Sequence, residues 1–203
     1  MGREFELKYA ATEATQAAIR DAYGPWREIR METTYFDTPD GALAARHMTL
    51  RLRRENNDTV CTLKTPLPDG SRGEWECAAA DITEGIRLLM AQGAPRVAAE
   101  LAGSGVIPRC GARFTRLAAE VATADGTAEL ALDSGILLGG GREMPLCEVE
   151  IELKSGTEAA AVSLAQALAG EYGLRRESGS KFRRALALAQ GEAYEFGNDY
   201  RKI

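Results

Sequence analysis

The sequence predicts an α+β domain built mainly from antiparallel strands. Three observations carry this: period-two alternation recurs along the chain, short turn signals join the alternating stretches, and helical periodicities interrupt them. Alternation predicts strands over 3–10, 26–37, 47–56, 59–65, 73–79, 112–123, 127–138 and 145–154. Asn57-Asp58, Asp69-Gly70, Asp125-Gly126 and Gly139-Gly140-Gly141 are hairpin signals between them. Helices are predicted over 12–23, 83–92, 96–102, 157–172 and 180–190. Thr157 with Ala160 and Ala161 opens the fourth of these, and Gly173 suits its C-terminal cap. A sandwich and a closed barrel both satisfy this pattern. One principal domain over 1–190 is expected, with the weakly patterned stretch 191–203 as a tail or linker stub.

The 203 residues are 45% hydrophobic and 27% charged, enough to build a core and too ordered in pattern for a disordered chain. Thirty acids against 25 bases give a net charge of −5, a sign that argues against a nucleic-acid partner. No apolar run approaches the ~18 residues of a membrane span, and the first ten residues lack the apolar stretch of a secretory signal. A soluble cytoplasmic protein is therefore expected. Cys61, Cys77, Cys110 and Cys147 are widely spaced and accompany a single histidine, which excludes the usual zinc spacings.

The polar faces of the predicted strands are unusual. A half-buried strand normally turns a mixed polar face to water. Here Glu4, Glu6 and Lys8 share one face of the first strand, Arg51 and Arg53 one face of the third, and Thr62 and Lys64 one face of the fourth. Arg72, Glu74 and Glu76 share a face of the fifth, and Glu148, Glu150, Glu152 and Lys154 one of the eighth. Neighbours at i and i+2 lie about 6.6 Å apart, so like charges repel along each strand unless an opposite charge or an ion neutralises them. Carboxylate oxygens suit hard divalent cations, and Lys and Arg suit phosphate. Such strands point to a site for a metal and a phosphate.

The string Glu4-Phe5-Glu6-Leu7-Lys8 resembles the N-terminal ExExK signature of the CYTH family, the triphosphate tunnel metalloenzymes. Further elements follow in that family's order: Tyr35-Phe36-Asp37-Thr38, Leu50-Arg51-Leu52-Arg53, Leu63-Lys64 and Arg72-Gly73-Glu74-Trp75-Glu76. Arg113-Phe114-Thr115-Arg116, Leu132-Asp133-Ser134-Gly135, Cys147-Glu148-Val149-Glu150 and Ser180-Lys181-Phe182-Arg183 complete the series. The resemblance spans residues 2 to about 190. It implies a closed antiparallel eight-stranded β-barrel with helices packed outside, whose charged lumen, the tunnel, binds a triphosphate and Mg²⁺ or Mn²⁺.

Carried over by position, the resemblance assigns Glu4, Glu6, Asp133, Glu148 and Glu150 to the metal. It assigns Lys8, Arg51, Arg53, Lys64, Arg113, Arg116, Lys181 and Arg183 to phosphate. Glu4, Glu6, Lys8 and Lys64 are the residues assigned to catalysis, and Glu74, Glu76 and Glu152 are accessory tunnel acids, Glu152 nearer the rim. The activity it implies is hydrolysis of inorganic triphosphate to pyrophosphate and phosphate. Alternatives are a class IV adenylate cyclase, a thiamine or nucleoside triphosphatase, and a polyphosphate-binding module without catalysis. Related sequences also continue into a CHAD-type partner domain, and the oligomeric state stays open.

Other residues read as structural. His47 is a lone histidine, the cysteines fall largely on apolar strand faces, and Trp26 and Trp75 suit core packing more than stacking on a heterocycle. Gly139-Gly140-Gly141 is a turn without the following helix a phosphate loop needs. Arg175, Arg176 and Arg184 are expected in solvent.

Overall fold

The computed structural model describes residues 2, 3, 5–67, 72–103 and 105–192. Glu4, the Asp69-Gly70 turn and residues 193–203 of the expected tail lie outside the described residues. Strands β1 (Gly2–Arg3) and β2 (Glu6–Ala10) come first, then helix α1 (Glu13–Ala22) and strand β3 (Arg27–Asp37). A meander of β4 (Thr49–Glu55), β5 (Asp58–Pro66) and β6 (Arg72–Ala78) follows, then α2 (Ile82–Ala91) and α3 (Arg96–Gly103). Three long strands β7 (Ile107–Thr123), β8 (Gly126–Gly139) and β9 (Arg142–Gly156) precede α4 (Glu158–Tyr172), a short β10 (Arg175–Arg176) and α5 (Lys181–Gln190).

All ten strands join one sheet in the order β1-β6-β5-β4-β3-β7-β8-β9-β2-β10, with antiparallel pairing throughout. β1 thus pairs with β6 at one end of the order, while β2 pairs with β9 near the other. Arg3 and Glu6 are three residues apart, a reach of about 10 Å, so the two ends of the sheet must curl together. The N-terminal segment and β3 to β9 are the eight walls of the barrel. It closes through the continuity of that segment and not through an unbroken ladder.

The two faces differ in kind. Outside, Leu7, Tyr9, Leu130, Leu132, Val149 and Ile151 pack under Ile19 of α1 and Leu164 and Leu168 of α4. Leu50, Cys61, Leu63 and Trp75 pack under Leu89 of α2 and Ala98 of α3. Burying apolar area at about 25 cal/mol per Å² is what draws these four helices onto the wall. Thr12, Asp81 and Ser180 each cap a helix by accepting from a backbone N–H three residues on.

α5 departs from the expectation that helices lie outside. Its Ala185 joins Ile29, Met31, Phe114, Leu137 and Leu146, which sit on the concave side of β3 and β7–β9, so it stoppers one end of the lumen. Gly139 permits this approach, because a Cβ there would lie 2.4 Å from the Ala185 carbonyl oxygen and 2.6 Å from the Ala189 nitrogen. Asp37, in the Tyr35-Phe36-Asp37-Thr38 string, is structural: its carboxylate accepts from the N–H groups of Thr38, Leu43 and Ala44. Among the described residues no helix is long and apolar enough to cross a membrane.

Gly139→Val is expected to lower stability by about 1–3 kcal/mol, the usual cost of overpacking, because backbone atoms of α5 cannot yield. Gly170→Ala, on the exposed face of α4 with nothing within 4 Å, is expected to raise it by about 0.5–1 kcal/mol. Urea unfolding midpoints of the two variants check both.

Candidate active site

Alternation turns the charged residues inward wherever their neighbours face the outer helices. The lumen they line is a cavity of about 940 Å³. Glu6 and Lys8 of β2, Arg51, Arg53 and Glu55 of β4, Lys64 of β5, Glu74 and Glu76 of β6, Arg116 of β7 and Glu150 and Glu152 of β9 all open onto it. Part of β3 and β7 supplies an apolar wall of Ile29, Met31 and Phe114, completed by Phe182 of α5.

Below the floor of this cavity lies a buried ionic cluster. Asp133 and Glu148 stand opposite each other across β8 and β9 and are 0% and 1% exposed, against 5% for Glu150. Lys181 Nζ lies 2.7 Å from Asp133, 2.7 Å from Glu148 and 2.6 Å from Glu150. Arg116 donates through Nε and Nη2 to both oxygens of Asp133 at 2.7 Å each and also donates to Glu150. Arg184 donates to Glu148. Lys8 completes the arrangement, 3.2 Å from Glu6 and 3.6 Å from Glu150.

On the opposite wall Glu74 sits between Arg51 at 3.8 Å and Lys64 at 3.5 Å. Arg53 pairs with Glu55, and the Thr62 hydroxyl donates to Glu76 at 3.1 Å. Arg51, Arg53 and Lys64 therefore each have a carboxylate partner, and Glu76 has a hydroxyl donor, as burial requires.

These surroundings shift the protonation equilibria. Burial alone would raise Glu150, but the charges of Lys181, Arg116 and Lys8 outweigh it and hold the carboxyl well below the usual range. Burial alone would lower Lys8, yet Glu150 and Glu6 carry it up to about 12. Lys181 is likewise held high by Asp133, Glu150 and Glu148 against its burial. Arg53 is lowered by burial and by Arg51 beside it.

Carboxylate oxygens of Asp133, Glu148 and Glu150 lie within 4.8 Å of one another. This is a donor set of hard oxygens, the chemistry a divalent cation selects. Glu150 and Glu6 reach the cavity, so a cation entering from the lumen meets those two first. The donors present fit such an ion.

The CYTH domain family matches residues 2–186. The chain belongs to that family. This CYTH domain is 28% identical over 197 residues to an inorganic triphosphatase of Haemophilus influenzae, a match covering 93% of this chain and 55% of that protein. The chain thus spans about half the length of the curated relative. A candidate adenylyl cyclase from Hippeastrum with a dominant triphosphatase activity superposes with a TM-score of 0.63 at 20% identity, covering 95% of this chain and 98% of that one. A Pyrococcus horikoshii OT3 protein gives 0.63 at 21%, over 91% and 99% of the two chains. A candidate adenylate cyclase from Bacillus halodurans gives 0.61 at 21%, over 91% and 98%. These structural likenesses establish the tunnel fold.

The CYTH tunnel gathers Glu6, Lys8, Arg51, Arg53, Lys64, Glu74, Glu76, Arg116, Glu150, Glu152 and Lys181 around one cavity, with Asp133 and Glu148 directly behind. Glu152 is nearer the rim than Glu150, its side chain 30% exposed against 6%. Two assigned bases are elsewhere. Arg113 points outward and pairs loosely with Glu143 at 3.9 Å, both side chains about three-fifths exposed. It is three positions from Arg116, and with no bulge between them an odd spacing puts the pair on opposite faces. Arg183 is exposed and outside the cavity.

The neighbouring Arg184, expected in solvent, is instead the buried arginine of α5. Lys181 and Arg184 are three apart and so share a helix face, the signal that could have found it. Buried Glu177, 3.9 Å from Arg184, and the rim residues Arg27 and Glu129 were also missed, and the rim residue Lys154, read on the charged face of β9, was given no role. Glu129 is in the alternation phase of Asp133, and Lys154 in that of Glu150.

Arg184→Met is expected to cost about 3 kcal/mol in urea unfolding, the low end for breaking a buried pair, because Lys181 still serves Glu148. Arg183→Ala is expected to leave the midpoint unchanged.

A second expectation concerns pH. Glu150 is lowered in the folded state, so its contribution to stability is present above the unfolded value of about 4.3 and lost as pH falls below it. Lys8 is raised from 10.5 to about 12, so its contribution is present below 10.5 and lost as pH rises through 12. Stability followed from pH 3 to 12 should fall at both ends, and Glu150→Gln should flatten the acid limb.

Proposed function

We propose that this chain is a metal-dependent triphosphatase acting on inorganic triphosphate within the tunnel. The observation carrying the proposal is that Lys8, Arg51, Arg53, Lys64, Arg116 and Lys181, drawn from four different strands and one helix, converge with Glu6 and Glu150 on one walled cavity. Five clustered phosphate charges in a chain of net −5 need such a local excess of donors. The 28% identity to an inorganic triphosphatase supports the same substrate.

In this proposal Arg51, Arg53 and Lys64 exchange their carboxylate partners for phosphate oxygens and hold the chain in line. Lys8, Arg116 and Lys181 offset charge developing on the transferred phosphoryl group, most of the work in such a transfer. Glu6 and Glu150, with Glu4 two residues earlier in the same alternation and Asp133 and Glu148 behind, would hold Mg²⁺ or Mn²⁺. When bound, the ion supplies Lewis acidity and charge neutralisation. Glu150, held ionised by its three cations, accepts a hydrogen bond from the attacking water and orients it. Water adds to the terminal phosphorus as the bridging P–O bond breaks, so phosphate and pyrophosphate leave.

The aromatic residues favour an inorganic substrate over thiamine triphosphate or a nucleotide. Trp75 is packed under α2 and α3, and Trp26 donates to the Arg20 carbonyl outside the lumen. Tyr35 and Phe182 pack against each other with their rings tilted by 46° and centroids 5.2 Å apart, and Lys181 covers Phe114. Four free thiols suit a reducing compartment, so the cytoplasm is the location proposed.

Phosphate release from inorganic triphosphate, ATP and thiamine triphosphate, assayed with Mg²⁺, Mn²⁺ or Ca²⁺ beside a cyclic AMP assay, tests the proposal. Inorganic triphosphate is expected to turn over fastest, with Mg²⁺ or Mn²⁺. Lys64→Ala and Arg116→Ala are expected to lose on the order of 10²-fold in turnover, the scale of deleting one preorganised charge, while Arg113→Ala keeps wild-type turnover. Cyclic AMP as the main product would make the protein a cyclase, and tight binding without hydrolysis would make it a polyphosphate-binding module.

A further inference from the structure

Gln16 is a polar residue on the barrel-facing side of an outer helix. It is 7% exposed and shares the buried side of α1 with Ile19. Its carboxamide is fully engaged. Nε2 donates to the backbone carbonyl of Asp133 at 3.0 Å and to that of Glu148 at 2.8 Å, while Oε1 accepts from the Ser134 hydroxyl. The two carbonyls belong to residues directly opposed across β8 and β9. On the far side of the wall their carboxylates meet Lys181.

The rung that Gln16 clips is the last one at which β9 pairs with β2. The register of β2 with β9 ends at Ala10 opposite Glu148, one more bond runs from the Ala11 N–H to the Cys147 carbonyl at 3.1 Å, and the chain then enters α1 through its Thr12 cap. Gln16 therefore braces, from outside, the end of the β2–β9 pairing where two of the three gathered acids are mounted. Glutamine meets the need because one planar group offers two N–H donors to two carbonyls and an acceptor to Ser134. Glutamate would set a carboxylate oxygen against two carbonyl oxygens, and methionine would fill the space with no donor.

We propose that Gln16 is a positioning residue for the acidic cluster. It acts through the backbone of Asp133 and Glu148 and touches neither substrate nor cation. The proposal rests on reading the tunnel as a metal-dependent triphosphatase site. Groups that orient metal ligands from behind commonly change metal affinity 10- to 100-fold when removed.

The test compares wild type with Gln16→Met, Ser134→Ala and Ile19→Val. Ile19→Val loosens the packing of the same helix and leaves the carboxamide alone. Mn²⁺ binding is read without substrate by electron paramagnetic resonance, and thermal midpoints are read alongside. Gln16→Met is expected to raise the Mn²⁺ concentration for half-binding about 10-fold, with Ser134→Ala shifting it less in the same direction. Ile19→Val is expected to lower the midpoint with Mn²⁺ binding unchanged. At saturating Mn²⁺, the KM of Gln16→Met for triphosphate is expected to stay near wild type.

Wild-type Mn²⁺ affinity in Gln16→Met and Ser134→Ala would show that the carboxamide only anchors α1, and would overturn this proposal alone. A wild-type protein that binds no Mn²⁺ overturns it together with the metal-dependent reading of the tunnel. Should Gln16→Met fail to fold, Ser134→Ala against Ile19→Val decides the matter by the same readout.

Discussion

The ammonium of Lys181, held by three carboxylates at 2.6–2.7 Å, is the interaction on which the rest of the structure depends. Asp133, Glu148 and Glu150 are removed from water, and three anions so close together cannot remain ionised without cations among them. Arg116 and Arg184 share the task. This neutralisation comes with desolvation, so its value to folding is small relative to the loss if one partner is removed. What the cluster supplies is a fixed electrostatic arrangement at the edge of an open cavity.

That requirement explains the placing of α5. Four helices cover outer apolar strips, as the alternation of the strands would lead one to expect. The fifth must reach the concave side, because the acids of β8 and β9 face inward and their counter-charges come from Lys181 and Arg184. Gly139 removes the side chain that would keep the helix away. Ala185 and Phe182 then seal the end of the lumen against Ile29, Met31 and Phe114. A single helix thereby closes the barrel's end and balances its charge.

The lumen is therefore poised between two sets of ion pairs. Without a ligand the basic wall is satisfied by Glu74 and Glu55, at distances of 3.5 and 3.8 Å for Lys64 and Arg51 to Glu74. These are looser than the contacts around Lys181. In the proposed function a polyanion entering the cavity competes first for these loosely held bases. Behind the wall Gln16, itself held by the Ser134 hydroxyl, meets the backbone of the Asp133–Glu148 rung from outside.

Much of this was legible in the residues themselves. Period-two alternation placed Glu6 with Lys8, Arg51 with Arg53, and Glu148 with Glu150 and Glu152 on common faces, and every described member of those sets faces the lumen or lies just behind it. The same rule separates Arg113 from Arg116, and helical spacing pairs Lys181 with Arg184 in preference to Arg183; motif likeness alone had blurred both. Periodicity is a local property, set by backbone geometry within a few residues, so a sequence by itself determines which side chains share a face. It does not determine which side of a curled sheet a helix will cover, or that Gln16 will meet carbonyls more than a hundred residues away. Those were decided by the closure of the barrel through its N-terminal segment and by the need of buried carboxylates for cations, and both arise only when distant parts of the chain pack together.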